Sequence, residues 1–326
     1  MARALLCVFW NYSTARPGAD LSTTIARTCR IPKRVGRAVD YPAFLMPMNV
    51  ATRSRNIFPA RLKSRQILGK YRIKRLVGCG GFAQVYAAHD SIEGIDVALK
   101  IPLDHHVDAE LMELFKQEVR LVAKLDHPNI LPIKNADFIG DRFVVASRLG
   151  DESLESRLSR RISTEKCLSF FEQMIGAVAC AHESNVVHCD IKPANFVLFG
   201  ADTIMLTDFG IAKVSRLTVD GSGTGTVGHM APEQAMGRPN KRSDVFSLGL
   251  IMYRMLAGCW PEYPFDWPPP GAIRLRQKRI HPDLIRFIQK ATAFRPQARF
   301  ADAIQMENRY AAIVETAIRN LRRRRR

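Results

Sequence analysis

Apolar and polar positions alternate in short runs through the middle of the chain, and beyond Gly150 they recur at three- and four-residue steps. Alternation over four to eight residues is typical of half-buried β-strands. It predicts four strands, Tyr71–Val77, Gln84–His89, Asp96–Ile101 and Asp141–Ala146. The later spacing predicts three clear helices, Thr164–His182, Ser243–Leu256 and His281–Ala293. A strand-rich part followed by a helix-rich part indicates a two-lobed protein of the α+β class.

One amphipathic helix, Asp108–Leu125, interrupts the predicted strands. Its apolar stripe consists of Leu111, Leu114, Phe115, Val119, Val122 and Leu125. Glu118 falls on this stripe, where a carboxylate is costly unless a cation pairs with it. Lys100, on the apolar strand before the helix, is the natural partner. We therefore expect an ion pair between Lys100 and Glu118.

Charge divides the chain into a nearly neutral body and two basic ends. The 49 Lys and Arg residues exceed the 31 Asp and Glu residues, for a formal net charge of +18. Residues 1–70 hold 13 basic and 2 acidic side chains, and the last eight residues hold six arginines and no acid. We interpret the chain as a flexible basic leader, a folded domain of two lobes and a solvated Arg-rich tail. The corresponding boundaries are 1–67, 68–312 (lobes 68–149 and 150–312) and 313–326.

Composition narrows the classes of protein. The content of 47% hydrophobic and 25% charged residues is globular and excludes wholesale disorder. No apolar run reaches the 18 residues of a transmembrane helix. Seven dispersed cysteines without a Cys-x-x-Cys pair argue against a zinc site and favour reduced thiols in the cytoplasm. The basic ends, including Arg322–Arg326, could attract an anionic partner such as nucleic acid, lipid or an acidic protein, although a plain solvated tail explains them equally well.

A glycine-rich segment lies between the first two predicted strands. It reads Gly78-Cys79-Gly80-Gly81-Phe82-Ala83-Gln84-Val85. Glycines allow backbone N–H groups to approach phosphate oxygens where a Cβ would clash. A dinucleotide-binding loop would open directly into a helix, whereas a strand is predicted here. A phosphate-binding loop and a simple Gly-rich β-turn remain as alternatives.

Two aspartates and an asparagine near short apolar strands form the second candidate site. The first segment is His188-Cys189-Asp190-Ile191-Lys192-Pro193-Ala194-Asn195, and the second is Asp208-Phe209-Gly210. Carboxylate and amide oxygens are the hard ligands that Mg²⁺ prefers. A lone Asp-Phe-Gly is common by chance, but its occurrence 13 residues after Asn195, together with Asp190 and Lys192, is not expected by coincidence.

These motifs, followed by Gly225–Glu233, occur in the order found in the protein kinase family. From about Leu68 to about Ala312 the chain resembles this family, and most closely the bacterial, eukaryotic-type serine/threonine kinases. The resemblance implies a bilobal protein kinase-like fold with an antiparallel sheet and one helix in the N-lobe. It also implies a mostly helical C-lobe, with ATP bound between the lobes.

The resemblance implies roles for individual residues. Asp190 would accept or orient the proton of the attacking hydroxyl, and Lys192 would neutralise the γ-phosphate. Lys100 would hold the α- and β-phosphates while paired with Glu118. Mg²⁺, which Mn²⁺ could replace, would bind Asn195 and Asp208. The implied nucleotide-binding residues are Gly78, Cys79, Gly80, Gly81, Phe82, Ala83, Val85, Ala98, Lys100, Ser147, Leu149, Asn195 and Asp208.

The implied reaction is transfer of phosphate from ATP to serine or threonine of proteins, including the kinase itself. Lys192 and Thr226 match the family's serine/threonine pattern rather than its tyrosine pattern. Two rivals are an inactive pseudokinase and a small-molecule kinase of similar fold. A pseudokinase would be indicated by loss of Lys100, Asp190 or Asp208, and all three are present. A small-molecule kinase would be indicated by absence of the Ala-Pro-Glu segment, which is also present and ends at Glu233.

Several positions have structural or regulatory implications. Glu233 with Arg299 matches the family's buried ion pair, and Asp244 matches the residue that braces the catalytic loop. Cys189 stands where many kinases carry the arginine that grips a phosphorylated activation loop. We therefore expect that activity does not require phosphorylation of Ser222 or Thr224. Aligning Phe143–Leu149 with the family's hinge places Ala146 beside the adenine pocket. Many kinases have a larger residue at this position, so we expect a roomy back pocket.

Overall fold

The computed structural model describes most of the chain after residue 60. The described residues are 61–80, 83–103, 109–209, 230–261, 265, 267–269 and 271–323, without the side chains of 109–111. All of them belong to one compact unit, Asn56–Arg326. The predictions for leader residues 1–60, for Ser222, Thr224 and Thr226, and for tail residues 324–326 lie outside the described residues.

The small lobe is a six-stranded antiparallel sheet with the strand order β1-β2-β3-β4-β6-β5. Its strands are β1 Ile67–Leu68, β2 Tyr71–Cys79, β3 Ala83–Asp90, β4 Ile95–Pro102, β5 Ile133–Ile139 and β6 Arg142–Arg148. Helix α1, Ala109–Val122, packs on the sheet through Phe115. The four predicted strands and this helix are confirmed. Strand β5 was not predicted, because its half-buried residues recur every third position and its pairing with β6 carries a bulge.

The small lobe includes residues before position 68. Leu62 is buried in the core formed by one face of the sheet, and its N–H donates to the Tyr86 hydroxyl at 3.1 Å. Strand β1 then pairs with β2, with Leu68 opposite Tyr71. The small lobe therefore includes residues of the stretch that composition assigns to the leader.

The large lobe is mostly helical, as predicted. Its helices are α2 Leu154–Arg157, α3 Thr164–Glu183, α4 Pro232–Ala235, α5 Lys241–Ala257, α6 Ile273–Gln277, α7 Pro282–Ala291 and α8 Ala303–Arg323. A three-stranded antiparallel sheet consists of β7 Glu152–Ser153, β8 Phe196–Phe199 and β9 Thr203–Leu206. The three predicted helices correspond to α3, α5 and α7 and are confirmed.

Helices α3 and α5 form the core of the large lobe and are mostly buried on all sides. Ser163 caps α3 by accepting a hydrogen bond from the Lys166 N–H, and Asn240 caps α5 in a capping box with Ser243. Helix α5 ends at Gly258, whose left-handed φ of +80° favours glycine. These caps fix where both helices begin and end.

The last helix, α8, lies across α3. The Tyr310 hydroxyl donates to the Leu168 carbonyl at 2.8 Å, and Ile313, Val314 and Ala317 are buried. The helix therefore runs through position 312, where the sequence interpretation ended the domain. None of the described helices combines the length and apolar character that crossing a membrane requires.

Candidate active site

One ammonium group joins three elements in the space between the sheet and the large lobe. The Lys100 Nζ on β4 lies 2.7 Å from Glu118 Oε1 on α1 and 2.8 Å from Asp208 Oδ1 after β9. Burial alone would lower the pKa of Lys100, but the charges of Asp208 and Glu118 and their hydrogen bonds outweigh it and raise the pKa. The expected pair is present, and Lys100 stays charged across the physiological pH range.

The register of the sheet decides which side chains share the face of Lys100. Lys100 lies opposite Val85 on β3 and opposite Val145 on β6, and Ala98 lies opposite Ser147. Directly opposed residues of an antiparallel pair point to the same face. Val85, Ala98 and Ser147 are therefore placed together with Lys100, as their predicted roles require.

Ala146 lies on the other face of the sheet. It pairs with Leu99, is 2% exposed and belongs to the core that contains Leu62 and Tyr71. A shift of one residue along a strand exchanges the two faces. Val145 therefore stands where Ala146 was expected, and the prediction of a roomy pocket beside Ala146 is wrong. Leu149 follows β6 and is half-buried.

The glycine loop joins β2 to β3. Gly78 pairs with Val85 and Cys79 with Gln84, and the Gly80 N–H donates to the Ala83 carbonyl at 2.9 Å. Within the described part of the chain, a Cβ on Gly78 would meet no atom within 4 Å. Internal packing there does not demand glycine, so the open space suits a ligand that approaches the backbone closely. Gly81 and Phe82 lie outside the described residues.

Asp190 is held in place by two neighbours on its own loop. The Asn195 Nδ2 donates to Asp190 Oδ2 and to the Asp190 carbonyl, both at 2.8 Å. The Lys192 Nζ lies 3.1 Å from Asp190 Oδ2. The 3₁₀ turn Pro193–Asn195 between them brings Asn195 back toward Asp190. Three of the predicted site residues are thus within hydrogen-bonding contact.

A buried carboxylate braces this loop from below. Asp244, on α5 and 1% exposed, accepts hydrogen bonds from the His188 N–H at 2.7 Å and the Cys189 N–H at 2.9 Å. It also lies 3.0 Å from His182 Nε2. His182 Nδ1 accepts from the Ala303 N–H, so the ring proton is on Nε2 and donates to Asp244. The geometry agrees with the bracing role that the resemblance implied.

Cys189 has a left-handed backbone with φ +61°, an uncommon conformation for a residue with a side chain. The Asp244 bond and a hydrogen bond from the Gln234 side chain to the Cys189 carbonyl hold it there. Burial, followed by the nearby charges of Asp244 and Asp190, raises the pKa of this thiol. Sequence reasoning missed Gln234 and His182, because no local pattern links them to residues that lie far away along the chain.

The His188 side chain connects the loop that carries Asp190 to the segment that carries Asp208. The Asp190 N–H donates to His188 Nδ1 at 3.2 Å, and the other ring nitrogen donates to the Thr207 carbonyl at 3.2 Å. The ring packs against Phe209 with 4.7 Å between the centroids. Burial lowers the pKa of His188 and favours the neutral ring that these two bonds require.

Glu233 and Arg299 form the buried pair that the resemblance implied. Arg299 Nη1 lies 2.7 Å from Glu233 Oε1, and Arg299 Nη2 donates to Glu233 Oε2 at 3.2 Å. The Ser243 hydroxyl adds a further bond to Glu233 at 2.7 Å. This arrangement ties α4 and α5 to the 3₁₀ turn Pro296–Ala298 that precedes Arg299.

Asn195 and Asp208 fit a divalent cation. The Thr207 N–H donates to the Asn195 carbonyl at 2.9 Å, which holds the residue preceding Asp208 against the catalytic loop. Because the Asn195 amide nitrogen donates to Asp190, its metal ligand would be the side-chain carbonyl oxygen. One carboxylate and one amide oxygen are a donor set typical of Mg²⁺, which usually retains several waters.

A family model described as "Protein kinase domain" matches residues 71–306. The chain belongs to the protein kinase family. This kinase domain resembles the solved kinase domain of PknI from Mycobacterium tuberculosis, at a TM-score of 0.58 and 24% identity over 77% of this chain and 99% of that one. At such identity the likeness shows the fold alone, and it agrees with the bilobal α+β architecture.

Curated relatives are bacterial serine/threonine-protein kinases. PrkC of Bacillus subtilis is 33% identical over 266 residues, which cover 76% of this chain and 41% of PrkC. PknA of Mycobacterium tuberculosis is 35% identical over 225 residues, which cover 65% of this chain and 51% of PknA. The kinase domain thus spans about half, or less, of the length of the relatives that it matches. The expected membership of the bacterial, eukaryotic-type group is confirmed.

Proposed function

We propose that this chain is an ATP-dependent protein serine/threonine kinase that acts in signal transduction. It would transfer the γ-phosphate of ATP to serine and threonine hydroxyls of protein substrates, and to its own. The observation that carries the proposal is the double contact of Lys100 with Glu118 and Asp208. It brings a cation from the small lobe to a candidate metal ligand of the large lobe.

The small lobe supplies the proposed phosphate-binding groups. Lys100 would neutralise the α- and β-phosphates, and Glu118 would fix the direction of its side chain. Backbone N–H groups of the glycine loop would cover the phosphates, since Gly78 leaves room for them. Val85, Ala98, Ser147 and Leu149 would line the remainder of the nucleotide site. Such positioning and charge neutralisation are the main requirements of phosphoryl transfer.

The large lobe supplies the proposed proton acceptor and further positive charge. Asp190 would orient the acceptor hydroxyl and take its proton, and the bonds from Asn195 and Lys192 fix its carboxylate. Lys192 would also neutralise the transferred phosphoryl group. Mg²⁺, or Mn²⁺ in its place, would be held by Asn195 and Asp208 and would supply Lewis-acid stabilisation of the phosphate charge.

The arrangement also argues against the two rival functions. An inactive pseudokinase would not be expected to keep Lys100, Asp190 and Asp208 in one set of paired charges. A small-molecule kinase generally lacks the Ala-Pro-Glu segment, whereas here Glu233 is bound to Arg299. Both observations favour phosphate transfer to proteins.

Incubation with radiolabelled ATP, Mg²⁺ and generic protein acceptors tests the proposal. Wild type should label serine and threonine, and Asp190→Asn should lower the rate by about 10²-fold or more. Asp137→Asn, the same change at an exposed site on β5, is the matched control and should retain full activity. Absence of label with the folded wild type, label on tyrosine, or equal rates for wild type and Asp190→Asn would refute the proposal.

Two further expectations concern the context in which the kinase acts. We propose a cytoplasmic location, which the free thiols of all five described cysteines support. An anionic partner that binds the basic ends is a second expectation, supported only by the charge of residues 1–70 and of the terminal arginines.

A further inference from the structure

A surface cavity of about 480 Å³ lies in the large lobe between the α6–α7 connection and the C-terminal part of α8. Its polar lining includes Arg276, Arg279, Arg286 and Asn320, and Pro282 and Ile285 contribute apolar surface. None of these residues belongs to the active site described above. The cavity lies within the 300–1,000 Å³ range of small-ligand sites.

Positive charge is concentrated around this cavity. Residues 273–290 contain six Lys or Arg side chains and one carboxylate, Asp283, although the folded body as a whole is nearly neutral. Arg286 forms an ion pair with Asp283, and His281 lies 3.7 Å from the same carboxylate. Among the described residues, neither Arg276 nor Arg279 pairs with an acid. One carboxylate therefore offsets only part of the charge of three guanidinium groups.

The first turn of α7 borders the same cavity. His281 is the N-cap and accepts from the Asp283 N–H at 3.2 Å, and Pro282 occupies the first helical position. The N-terminus of this ten-residue helix adds partial positive charge to the potential. The three arginines of the lining are the main source of positive charge at the cavity.

Arg279 occupies a position that ordinarily favours glycine. Its φ of +54° lies in the left-handed region, where a residue with a Cβ is strained by about 1 kcal/mol or more. The turn after α6 thus keeps an arginine at the cavity wall in spite of an unfavourable backbone. Glycine at this position would relieve the backbone strain and remove the positive charge together.

We propose that this cavity binds a phosphorylated serine or threonine of a peptide. Planar guanidinium groups bind phosphate bidentately, and a phosphate dianion matches several arginines better than a single carboxylate does. Pro282 and Ile285 provide apolar surface for a side chain that flanks the phosphorylated residue. Such a docking site would hold a substrate that is already phosphorylated while the active site acts on another residue. Only this last consequence rests on the proposed function.

Fluorescence anisotropy without ATP tests the binding. The probe is a fluorescent nine-residue library, degenerate except for a central phosphothreonine, and the comparison libraries carry threonine or glutamate at the centre. Wild type should bind the phosphothreonine library at least tenfold more tightly than the other two. Arg279→Gly, which suits the backbone, and Arg276→Gln should each weaken binding by about tenfold. Arg309→Gln removes the same charge from an exposed part of α8 outside the cavity and should bind as wild type does.

Three results would overturn the proposal. They are equal affinity for the phosphothreonine and threonine libraries, an equal loss in Arg309→Gln and Arg279→Gly, and preference for vesicles of anionic lipid or for RNA over the phosphopeptides. Thermal melting confirms that each variant is folded. Because no ATP is present, phosphopeptide binding by a catalytically inactive chain would refute the proposed function alone. Active kinase without such binding would refute the docking site alone.

Discussion

Replacing Asp244 by asparagine should uncouple the catalytic loop from its support. Asp244 is buried and accepts three hydrogen bonds, from the His188 and Cys189 N–H groups and from the His182 ring. Asparagine offers one acceptor oxygen, so at best the two bonds to Oδ2 remain and the Cys189 N–H faces an NH₂ group. A lost hydrogen bond to a charged group together with an unpaired buried donor amounts to about 2–4 kcal/mol. The left-handed Cys189 then loses one of its two anchors, and Asp190 next to it shifts.

Chemical and thermal unfolding together with steady-state kinetics measure this effect. The melting temperature of Asp244→Asn should fall by roughly 5–15 °C. Its kcat should fall by about 10- to 100-fold through misplacement of Asp190. The KM for ATP should change little, because the small lobe supplies most of the nucleotide contacts. Asp190→Asn is the comparison, with lost activity but nearly unchanged melting. Wild-type stability and kcat in Asp244→Asn would show that the hydrogen bonds of Asp244 neither stabilise the protein nor position Asp190, and would refute the reasoning.

Three further predictions follow from burial. The folded state keeps His188 neutral, whereas the unfolded chain binds a proton at this residue below about pH 6.5, so the free energy of unfolding should fall as the pH drops below that value. In His188→Gln the fall should be less steep, by up to about 1.4 kcal/mol per pH unit. Urea unfolding of both proteins at several pH values measures this, and parallel profiles would contradict it. Iodoacetamide should label the exposed Cys79 before Cys167, whose pKa burial raises to about 11, as peptide mass spectrometry would show; simultaneous labelling would oppose the assignment. Gly249→Ala should lose about 1–3 kcal/mol in urea unfolding with unchanged KM for ATP, since its Cβ would lie 2.8 Å from the Ala291 Cβ; wild-type stability would contradict this.

The Lys100–Glu118 pair could be predicted because it rests on a local conflict. A carboxylate on an apolar helix stripe requires a nearby cation, and the strand before the helix offers one. The alternation in β2 and β4 was equally informative, since one face of those strands is buried in the core and the other is more open. Where the apolar and polar positions follow the period of an element with one buried and one exposed face, the sequence is sufficient to predict that element.

The sequence-based predictions fail where both faces of an element are buried or where the contact joins residues far apart in the chain. Val144, Val145 and Ala146 are all apolar because both faces of β6 pack against something, so the pattern cannot decide which residue faces Lys100. The pairing of His182 with Asp244 spans 62 residues and depends on how α3 and α5 cross. Helix α8 was not predicted, and the tail was placed from residue 313 on, because the terminal arginines indicated a solvated end although the apolar positions continue to Ala317.

The crossing of α8 over α3 has a practical consequence for anyone who expresses this domain. The matched family segment stops at residue 306, yet Tyr310, Ile313 and Ala317 remain inserted against the rest of the lobe. A fragment cut at the family boundary would uncover an apolar strip on its longest buried helix and should aggregate, whereas one that retains the helix through Leu321 should remain monodisperse.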